Sequence, residues 1–528
     1  MTVQVRETSA ASAQGTRIRW PGPPVHPLLF AAFPVLFLYH GNLRGGVRPG
    51  DLVVPLALSV MGAAALFALF RLLLGNLHRA AIATSVLVLL FLSFGHVELA
   101  ADPARLGGAR APLLLTWVAL ALLGLAAAVR ARRPAFWSFG LNLIAAVLVV
   151  MNLVPIVSFE LTDTDERIPV TGALPGVDPG AVTDRRDVYY LIFDRYARAD
   201  TLRELYRFDN DPFLSFLRAR GFYAAEDSVA NYPKTTQSLA ASLNMTFLDD
   251  LAQRVGVDSG DWGPLNDSLS GSRAARGFQE LGYDYHHIGS WWEATASDPA
   301  ADVNHVFSAL PEFSGVFVDT TMWPAVAELV GLREPETFER EQHERVLFQF
   351  REIEEISRLP EPTFTFAHFT LPHPPYVFDA RGTFVSRQDS VDMGRVRAYI
   401  EQLRFTNLRI DELVAELLVG PDETDPIVVI QSDEGPEPVR AEASEAEYRW
   451  DRAPLADLQE KLRILNAYYL PGVGSEQLYP SISPVNTFRL ILSSYFGADL
   501  PLLPDRTWVF QDQGHPYRYT EVTPLLHG

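Results

Sequence analysis

Apolar residues form long stretches in the first part of the chain and only short runs in the rest. The long stretches cover residues 24–40, 52–70, 80–97, 112–129 and 135–157. A helix needs about 20 apolar residues to cross a hydrocarbon core of roughly 30 Å. We therefore predict about five transmembrane helices. The first stretch is the weakest, since it holds His26 and three prolines, and an interfacial or re-entrant segment is the alternative for it.

From residue 186 onward, apolar runs of strand length alternate with helical patterns, which predicts an α/β domain with a mostly parallel central sheet flanked by helices. The predicted strands cover residues 188–193, 283–288, 363–369, 427–432 and 464–470. The predicted helices include residues 211–220, 236–245, 268–281, 394–418 and 485–496. Residues 159–185 contain Gly, Pro, Asp and Thr with little periodicity. The expected organisation is a transmembrane region over 1–158, a linker over 159–185, and the α/β domain over 186–528.

Charge divides unevenly between these parts. The first 158 residues hold twelve arginines and four acids, a net charge of +8, whereas the remainder holds 32 bases and 60 acids, a net charge of −28. Arginine-rich loops stay in the cytoplasm. Eight of the twelve arginines fall on one side of the predicted spans, namely Arg6, Arg17, Arg19, Arg71, Arg79, Arg130, Arg132 and Arg133. We therefore expect a cytoplasmic amino terminus and an α/β domain outside the cell membrane.

Composition also excludes several kinds of function. The acidic domain is a poor candidate for binding nucleic acid, because phosphate contacts need clustered Lys and Arg. The chain has no cysteine, which excludes disulfides, thiolate metal sites and thiol nucleophiles. A permease is a weaker alternative, since no predicted span carries a central charge.

Acids follow two of the predicted strands, and a threonine pair begins a predicted helix between them. Asp194 follows strand 188–193, Asp433 and Glu434 follow strand 427–432, and Thr235 and Thr236 follow Pro233. Parallel strands carry ligands at their carboxyl ends, so these groups can meet around a metal that activates a hydroxyl. Helix caps and turns are the ordinary alternatives for such residues.

Further polar and aromatic residues extend this candidate site. Lys234 precedes the threonines and is one of only two lysines in the chain, the other being Lys461; Arg-rich codon usage is the simpler explanation. His368 lies near the end of strand 363–369, and His373 lies in the proline-rich stretch that follows it. Lys234 and His368 are candidate substrate contacts, and His373 is a candidate general acid or phosphate contact. His287 and Trp292 are candidate substrate contacts, with packing in the core as an equal alternative.

These pieces, in this order, resemble the alkaline phosphatase superfamily, and more closely its sulfatase-like membrane branch of lipoteichoic acid synthases and phosphoethanolamine transferases. The resemblance covers most of the chain. It implies five membrane spans, an exported α/β domain and one divalent ion, with metal ligands at Asp194, Thr235, Asp433 and Glu434. It also implies that Thr235 is the nucleophile, with Thr236 as the fallback, and that His373 matches the histidine of a Pro-His-x-Pro-Tyr-type loop.

The sequence departs from the family pattern in two ways. Glu434 stands where the family's Asp-His-Gly motif has histidine, so an all-oxygen site would favour Mn²⁺, Mg²⁺ or Ca²⁺, with Zn²⁺ as the alternative. It also leaves open a catalytically inactive scaffold. The Cys/Ser-x-Pro-x-Arg motif of sulfatases is absent, which disfavours sulfate ester hydrolysis.

The expected function is that of a metal-dependent phosphotransferase. It would move a group from a membrane lipid donor through Thr235 to a cell-envelope acceptor, such as a glycan or polymer. A phosphodiesterase or sulfatase-type hydrolase of the same superfamily is the alternative if water replaces the acceptor. The sequence gives no expectation for the oligomeric state.

Overall fold

The chain divides into two compact units. The computed structural model describes residues 22–100, 110–162, 168–169, 174–182, 185–308, 311–332, 337–360, 362–419, 425–439 and 447–526. The first unit contains the described residues up to His40, together with Leu52–Ser158 and Phe317–Val326. The second contains Gly41–Asp51, Phe159–Val316 and the described residues from Ala327 onward. Two short segments therefore belong to a different unit from their neighbours in sequence.

The first unit is built from long apolar helices. They are α1 (His26–Asn42), α2 (Pro49–Leu74), α3 (Leu77–Ala100), α4 (Arg110–Arg130) and α5 (Pro134–Thr162). Of these, α2 to α5 are long and apolar enough to cross a membrane. The predicted number of five is one more than the described residues provide. Helix α1 has 17 residues, about 26 Å at the usual rise per residue, which falls short of a hydrocarbon core.

The second unit contains the sheet and most of the shorter helices. Its strands are β1 (Val188–Phe193), β2 (Tyr223–Ala224), β3 (Asp284–Ile288), β4 (Val303–His305), β5 (Thr363–Phe369), β6 (Ile427–Gln431), β7 (Asn466–Tyr469), β8 (Trp508–Phe510) and β9 (Tyr519–Glu521). The helices up to the middle of the chain are α6 (Ala199–Leu205), α7 (Asp211–Ala219), α8 (Thr235–Asn244), α9 (Asp249–Val255), α10 (Gly263–Asp267), α11 (Arg273–Glu280) and α12 (Glu293–Ala296). Those that follow are α13 (Glu312–Asp319), α14 (Trp323–Leu329), α15 (Thr337–Ile356), α16 (Arg387–Met393), α17 (Arg395–Leu417), α18 (Leu455–Leu462), α19 (Thr487–Phe496) and α20 (Thr523–Leu526).

Seven strands form one mostly parallel sheet in the order β2-β7-β6-β1-β5-β3-β4. Strand β1 lies at its centre and pairs in parallel with β5 and β6. Strand β7 runs antiparallel to β6, and β2 runs antiparallel to β7. Strands β8 and β9 form a separate antiparallel pair. The carboxyl ends of β1, β5 and β6 therefore meet at one edge.

Both faces of this sheet are buried, which explains why β1 is apolar throughout. Val188, Tyr190 and Ile192 pack in one core with residues of α8, α11 and α19. The alternate residues of β1 pack in a second core with α7, α15 and α17. We call these the α8 face and the α17 face of the sheet. Successive side chains of a strand point to opposite faces, so each residue's position along a strand fixes which core it enters.

The predicted strands and helices of the α/β domain are confirmed with shifts of a few residues at their ends. The largest shift is at α11, which begins at Arg273 rather than residue 268. Its start follows from Ser272, whose hydroxyl accepts a hydrogen bond from the Ala275 N–H at 3.4 Å and caps the helix. The prediction missed the short strands β2, β4, β8 and β9, because two or three residues carry too little periodicity to detect.

Candidate functional site

Three strand ends bring Asp194, His368 and Asp433 together. In β1, Tyr190 and Ile192 enter the α8 face, as do Phe366 of β5 and Val429 of β6. The same two-residue period reaches Asp194 and His368 two residues after Ile192 and Phe366, and Asp433 four residues after Val429. The pairing of Ile192 with both His368 and Gln431 places the three ends level with one another. Two carboxylates and one imidazole therefore lie together at one edge of the sheet.

The three side chains form a group that could hold a metal ion. Each offers one ligand atom, and these atoms all lie within 4.8 Å of one another, with all three residues buried. His368 Nε2 lies 3.9 Å from Asp194 Oδ2. Asp194 Oδ1 and His368 Nε2 have no hydrogen-bond partner among the described residues. Buried polar atoms left without partners are costly unless a cation binds them. These residues thus fit a divalent ion.

The electrostatics of the two acids support the same interpretation. Burial, followed by repulsion from Glu434, raises the pKa of Asp433 to about 7. Burial and repulsion from Asp433 raise the pKa of Asp194 well above its ordinary value. Neither Asp433 oxygen has a hydrogen bond of ordinary geometry, although the Thr235 hydroxyl is close enough to lower the pKa of that carboxyl. A cation between the acids would remove this repulsion.

Helix α8 places a hydroxyl beside this group. Thr235 is its first residue, and both Thr235 and Thr236 line a cavity of about 440 Å³. The ten-residue helix is buried almost throughout, since its apolar side chains pack on the sheet. A helix start carries partial positive charge, which favours an alkoxide or a phosphate there. The hydroxyl of Thr235 therefore lies at the positive end of a helix, beside the group that could hold a metal ion.

Glu434 also lines the cavity, and its carboxylate is held by two cations. Its Oε1 accepts hydrogen bonds from Lys461 Nζ at 2.7 Å and from Arg195 Nε at 3.2 Å. Lys461 Nζ also donates to Glu437 Oε1 at 2.7 Å. The group that could hold a metal ion contains His368 and not Glu434. Because Glu434 Oε1 anchors a buried ion-pair network, the role of Glu434 as a metal ligand stays a prediction.

Lys234 and His373 both line the cavity. Burial lowers the pKa of Lys234 to about 8, an effect that Glu434 partly offsets. Burial, followed by the positive charge of Arg195, lowers the pKa of His373 well below its ordinary value. Its Nδ1 contacts the Pro374 carbonyl, so the Nδ1 proton donates there and Nε2 is left as an acceptor. His373 is thus a neutral proton acceptor, so the predicted role of general acid requires that it first takes up a proton.

The other predicted substrate contacts lie in different surroundings. Trp292 lines the cavity, and its ring centroid is 6.4 Å from that of His368. His287 is not among the lining residues. Its Nε2 donates to the Thr295 carbonyl at 3.0 Å, and its Nδ1 lies 3.1 Å from the Tyr285 hydroxyl. His287 therefore supports the wall behind the cavity and is not placed to touch a substrate.

Sequence reasoning missed several residues of the site. Arg195 lines the cavity and has a positive φ of 64°, unusual for a residue with a side chain. The hydroxyl of Thr295 hydrogen bonds to His368 Nδ1 at 2.8 Å. Lys461 is fully buried beside Glu434. A sequence feature does set Lys461 apart, because the chain has only two lysines, and both lie at this site.

Residues from a distant part of the sequence complete the cavity. Gly45 lines it together with Trp262, Asn266 and Trp291, all in the second unit. The carbonyl of Gly45 accepts a hydrogen bond from Asn266 Nδ2 at 2.9 Å. Residue 46 is also a glycine with a φ of 90°, and a Cβ there would lie 2.2 Å from Asn266 Nδ2. The local backbone thus requires glycine at residue 46.

Comparison with known proteins gives remote structural likenesses. No protein-family model and no curated protein sequence matches the chain. The C-terminal periplasmic domain of EcEptC from Escherichia coli, in complex with Zn, has a TM-score of 0.45 at 12% identity, over 66% of this chain and 96% of that one. The lipooligosaccharide phosphoethanolamine transferase A of Neisseria meningitidis, an integral membrane protein, has a TM-score of 0.38 at 14% identity, over 89% and 95%. The phosphonate monoester hydrolase of Agrobacterium radiobacter has a TM-score of 0.37 at 14% identity, over 61% and 75%.

Proposed function

We propose that this protein is a membrane-anchored phosphotransferase that depends on one divalent metal ion and uses Thr235 as its nucleophile. The observation that carries the proposal is the position of Thr235. Its hydroxyl lies at the start of α8, beside Asp433, in the same cavity as Asp194 and His368. When bound, a divalent ion would stabilise the negative charge of an alkoxide and of phosphoryl oxygens. Asp194, His368 and Asp433 would hold it.

The first half of the reaction transfers a phosphoryl-containing group to the protein. Thr235 Oγ1 forms a bond to phosphorus, and the bond between phosphorus and the alcohol oxygen of the donor breaks. The hydroxyl proton of Thr235 passes to His373 Nε2 and from there to the departing alcohol oxygen. The lowered pKa of His373 leaves its ring unprotonated at neutral pH, which prepares it to accept that proton.

The second half releases the group to an acceptor. The acceptor hydroxyl gives its proton to His373, its oxygen forms a bond to phosphorus, and the bond to Thr235 Oγ1 breaks. Thr235 then recovers a proton from His373. Lys234 and Arg195, which line the same cavity, place positive charge beside the transferred phosphoryl oxygens. Water in place of the acceptor makes the same site a phosphodiesterase.

The proposed donor is a membrane lipid, and the proposed acceptor is a component of the cell envelope. Four apolar helices of membrane-spanning length support a membrane location, and the placement of arginines supports an extracytoplasmic second unit. His368 adds a nitrogen ligand that the sequence did not predict. Two carboxylates and one imidazole suit Mn²⁺ and Zn²⁺ better than Ca²⁺, so we propose Mn²⁺ or Zn²⁺.

Turnover of a phosphodiester by Thr235 variants tests the proposal. The full chain in detergent micelles, loaded with Mn²⁺, is expected to release 4-nitrophenol from bis(4-nitrophenyl) phosphate. Thr235→Ala is expected to reduce this rate by at least about 10³-fold, because the nucleophile is lost. Thr236→Ala is the matched control, since its hydroxyl lines the same cavity one residue away, and it is expected to retain most of the rate.

Intact-mass measurement separates the outcomes. After incubation with anionic lipid vesicles, the wild-type chain is expected to gain a phosphoryl-containing adduct that is absent from Thr235→Ala. Absence of both adduct and phosphodiester turnover in the metal-loaded chain would contradict the proposal and favour an inactive scaffold. Turnover without dependence on a lipid or glycan acceptor would identify a hydrolase.

A further inference from the structure

The segment between β4 and α15 returns to the first unit. Phe317–Val326, which spans the end of α13 and the start of α14, belongs to the same compact unit as α3 and α4. Met322 and Ala325 pack in one apolar cluster with Phe94 of α3 and Trp117 of α4. Two backbone hydrogen bonds join it to α3: Gly95 N donates to the Thr320 carbonyl at 2.9 Å, and Met322 N donates to the Phe91 carbonyl at 2.8 Å.

The contact with α3 depends on a glycine. A Cβ added at Gly95 would lie 2.2 Å from the carbonyl oxygen of Asp319 and 2.6 Å from the carbonyl carbon of Thr320. Those neighbours are backbone atoms, which cannot move aside as a flexible side chain could. The close approach of the turn between α13 and α14 to α3 therefore requires residue 95 to lack a side chain.

The turn also satisfies its own polar groups. The Thr320 hydroxyl donates to the Phe317 carbonyl and the Thr321 hydroxyl to the Val318 carbonyl, each at 2.7 Å. The Trp323 N–H donates to the Thr321 hydroxyl at 3.0 Å. Non-helical backbone is tolerated at membrane depth only where protein groups pair with it. This turn meets that condition.

The depth of the turn follows from its contacts along α3. Phe91 lies nine residues before Ala100, where α3 ends, a distance of about 13 Å along the helix axis. Helix α3 is one of the helices of membrane-spanning length. A contact this far from its end lies within the span of a hydrocarbon core of roughly 30 Å. The turn thus meets α3 at a level where the surroundings are lipid.

The exposed side chains of this segment are large and apolar. Val316 is 45% exposed, Trp323 45% and Leu329 76%. Between residues 313 and 332 the sequence carries only two charged residues, Asp319 and Glu328. Exposed apolar surface of this kind marks a membrane or protein interaction site. The turn that joins α13 and α14 belongs to the same unit as the membrane-length helices α3 and α4, which selects the membrane.

We propose that α13 and α14 form a re-entrant hairpin whose turn enters the lipid bilayer, with Val316, Trp323 and Leu329 in contact with acyl chains. The partner is the lipid bilayer itself, at the face reached by the carboxyl end of α3. This inference is independent of the proposed catalytic function, since none of its residues lines the cavity near Thr235.

Site-directed fluorescence tests the hairpin, because a chain without cysteine accepts a single reactive label. Leu329→Cys in the full chain is labelled with bimane and reconstituted in phosphatidylcholine vesicles containing doxyl-labelled lipid. We expect at least about twofold quenching by the doxyl lipid and little quenching by aqueous iodide. Val391→Cys is the matched control: Val391 is 68% exposed on α16, and it is expected to show the reverse. Iodide quenching of Leu329→Cys equal to that of the control would overturn the proposal.

A second variant tests whether the contact at Gly95 holds the turn in place. Gly95→Leu, combined with Leu329→Cys, is expected to lose most of the doxyl quenching and gain iodide quenching. Gly62→Leu is the control, since no atom lies within 4 Å of a Cβ built at that position of α2. Unchanged quenching in Gly95→Leu would show that this contact does not position the hairpin. If Gly95→Leu does not fold, the quenching of Leu329→Cys in the otherwise natural chain still decides the proposal.

Discussion

Asp433 and Glu434 are neighbours in sequence, yet their carboxylates have different partners. Asp433 belongs to the group that could hold a metal ion, whereas Glu434 forms ion pairs with Lys461 and Arg195. Two adjacent acids can therefore have unrelated roles: one supplies a ligand atom, and the other fixes the cations behind it.

Replacing Glu434 tests this division of roles. Glu434→Gln is expected to lower the stability by about 3 kcal/mol, because it leaves the fully buried Lys461 with one carboxylate partner instead of two. Thermal unfolding of the full chain in detergent measures the effect. Glu355→Gln is the control, since Glu355 is 70% exposed in its pair with Arg358, and it should change little. Equal effects would contradict the buried network.

The same network predicts a pH dependence through Glu437. The charges of Lys461 and Arg195 lower the pKa of Glu437 below its ordinary value of 4.5. A carboxylate whose pKa is lower in the folded protein than in the unfolded protein stabilises the fold. This stabilisation is fully present at pH values above the unfolded-state pKa and is lost as the pH falls below that pKa. The difference in melting temperature between wild type and Glu437→Gln should thus be constant from pH 8 to 5.5. It should shrink below about pH 4.5, and a gap that widens on acidification would contradict the assignment.

At the scale of elements, strands buried on both faces were the easiest to predict. Continuous apolar runs in the sequence predicted the positions of β1, β5 and β6. They also predicted the edge of the sheet where Asp194 and Asp433 lie. A motif aligns residues by their order alone and does not contain the two-residue period of a strand. It therefore did not predict that Lys461 and Arg195 bind Glu434. The same period would have placed His368 beside Asp194, since it shares the face of Phe366.

The walls of the cavity could not be predicted from local patterns. Arg195 lines the cavity from a turn. Thr295 and Lys461 lie on two short helices and bind His368 and Glu434, which also line it. Gly45 is more than 140 positions from Asp194 in sequence, yet both line one cavity. Contacts at such separations depend on tertiary structure, which propensity and periodicity do not encode.

Helix α12 makes a testable contribution through Thr295, whose hydroxyl orients His368. Residues that hydrogen bond to a metal ligand typically change metal affinity by about 10–100-fold when they are replaced. Thr295→Val keeps the shape of the side chain and removes the hydroxyl, so we expect Mn²⁺ affinity to fall within that range in equilibrium dialysis. Thr295→Ser restores the hydroxyl and should restore most of the affinity. If the two variants bind Mn²⁺ equally, Thr295 does not orient His368.

At the scale of the whole molecule, the charge distribution predicts the orientation in the membrane. The absence of cysteine again allows single labels. Val419→Cys, at a residue 78% exposed in the second unit, should react with a membrane-impermeant maleimide on intact cells. Arg132→Cys, between α4 and α5, should react only after the membrane is opened. The opposite pattern would contradict the proposed topology, because it would place the second unit on the cytoplasmic side of the membrane.

Metal content tests the central claim most directly. The full chain, purified in detergent and dialysed against Mn²⁺ or Zn²⁺, is expected to hold one ion per chain by elemental mass spectrometry. Asp433→Asn should lose it, because a neutral amide replaces one of the two carboxylates of the group, whereas Glu434→Gln should keep it. A wild-type chain without bound metal, or an Asp433→Asn chain that binds as much as wild type, would contradict a metal site built by Asp194, His368 and Asp433.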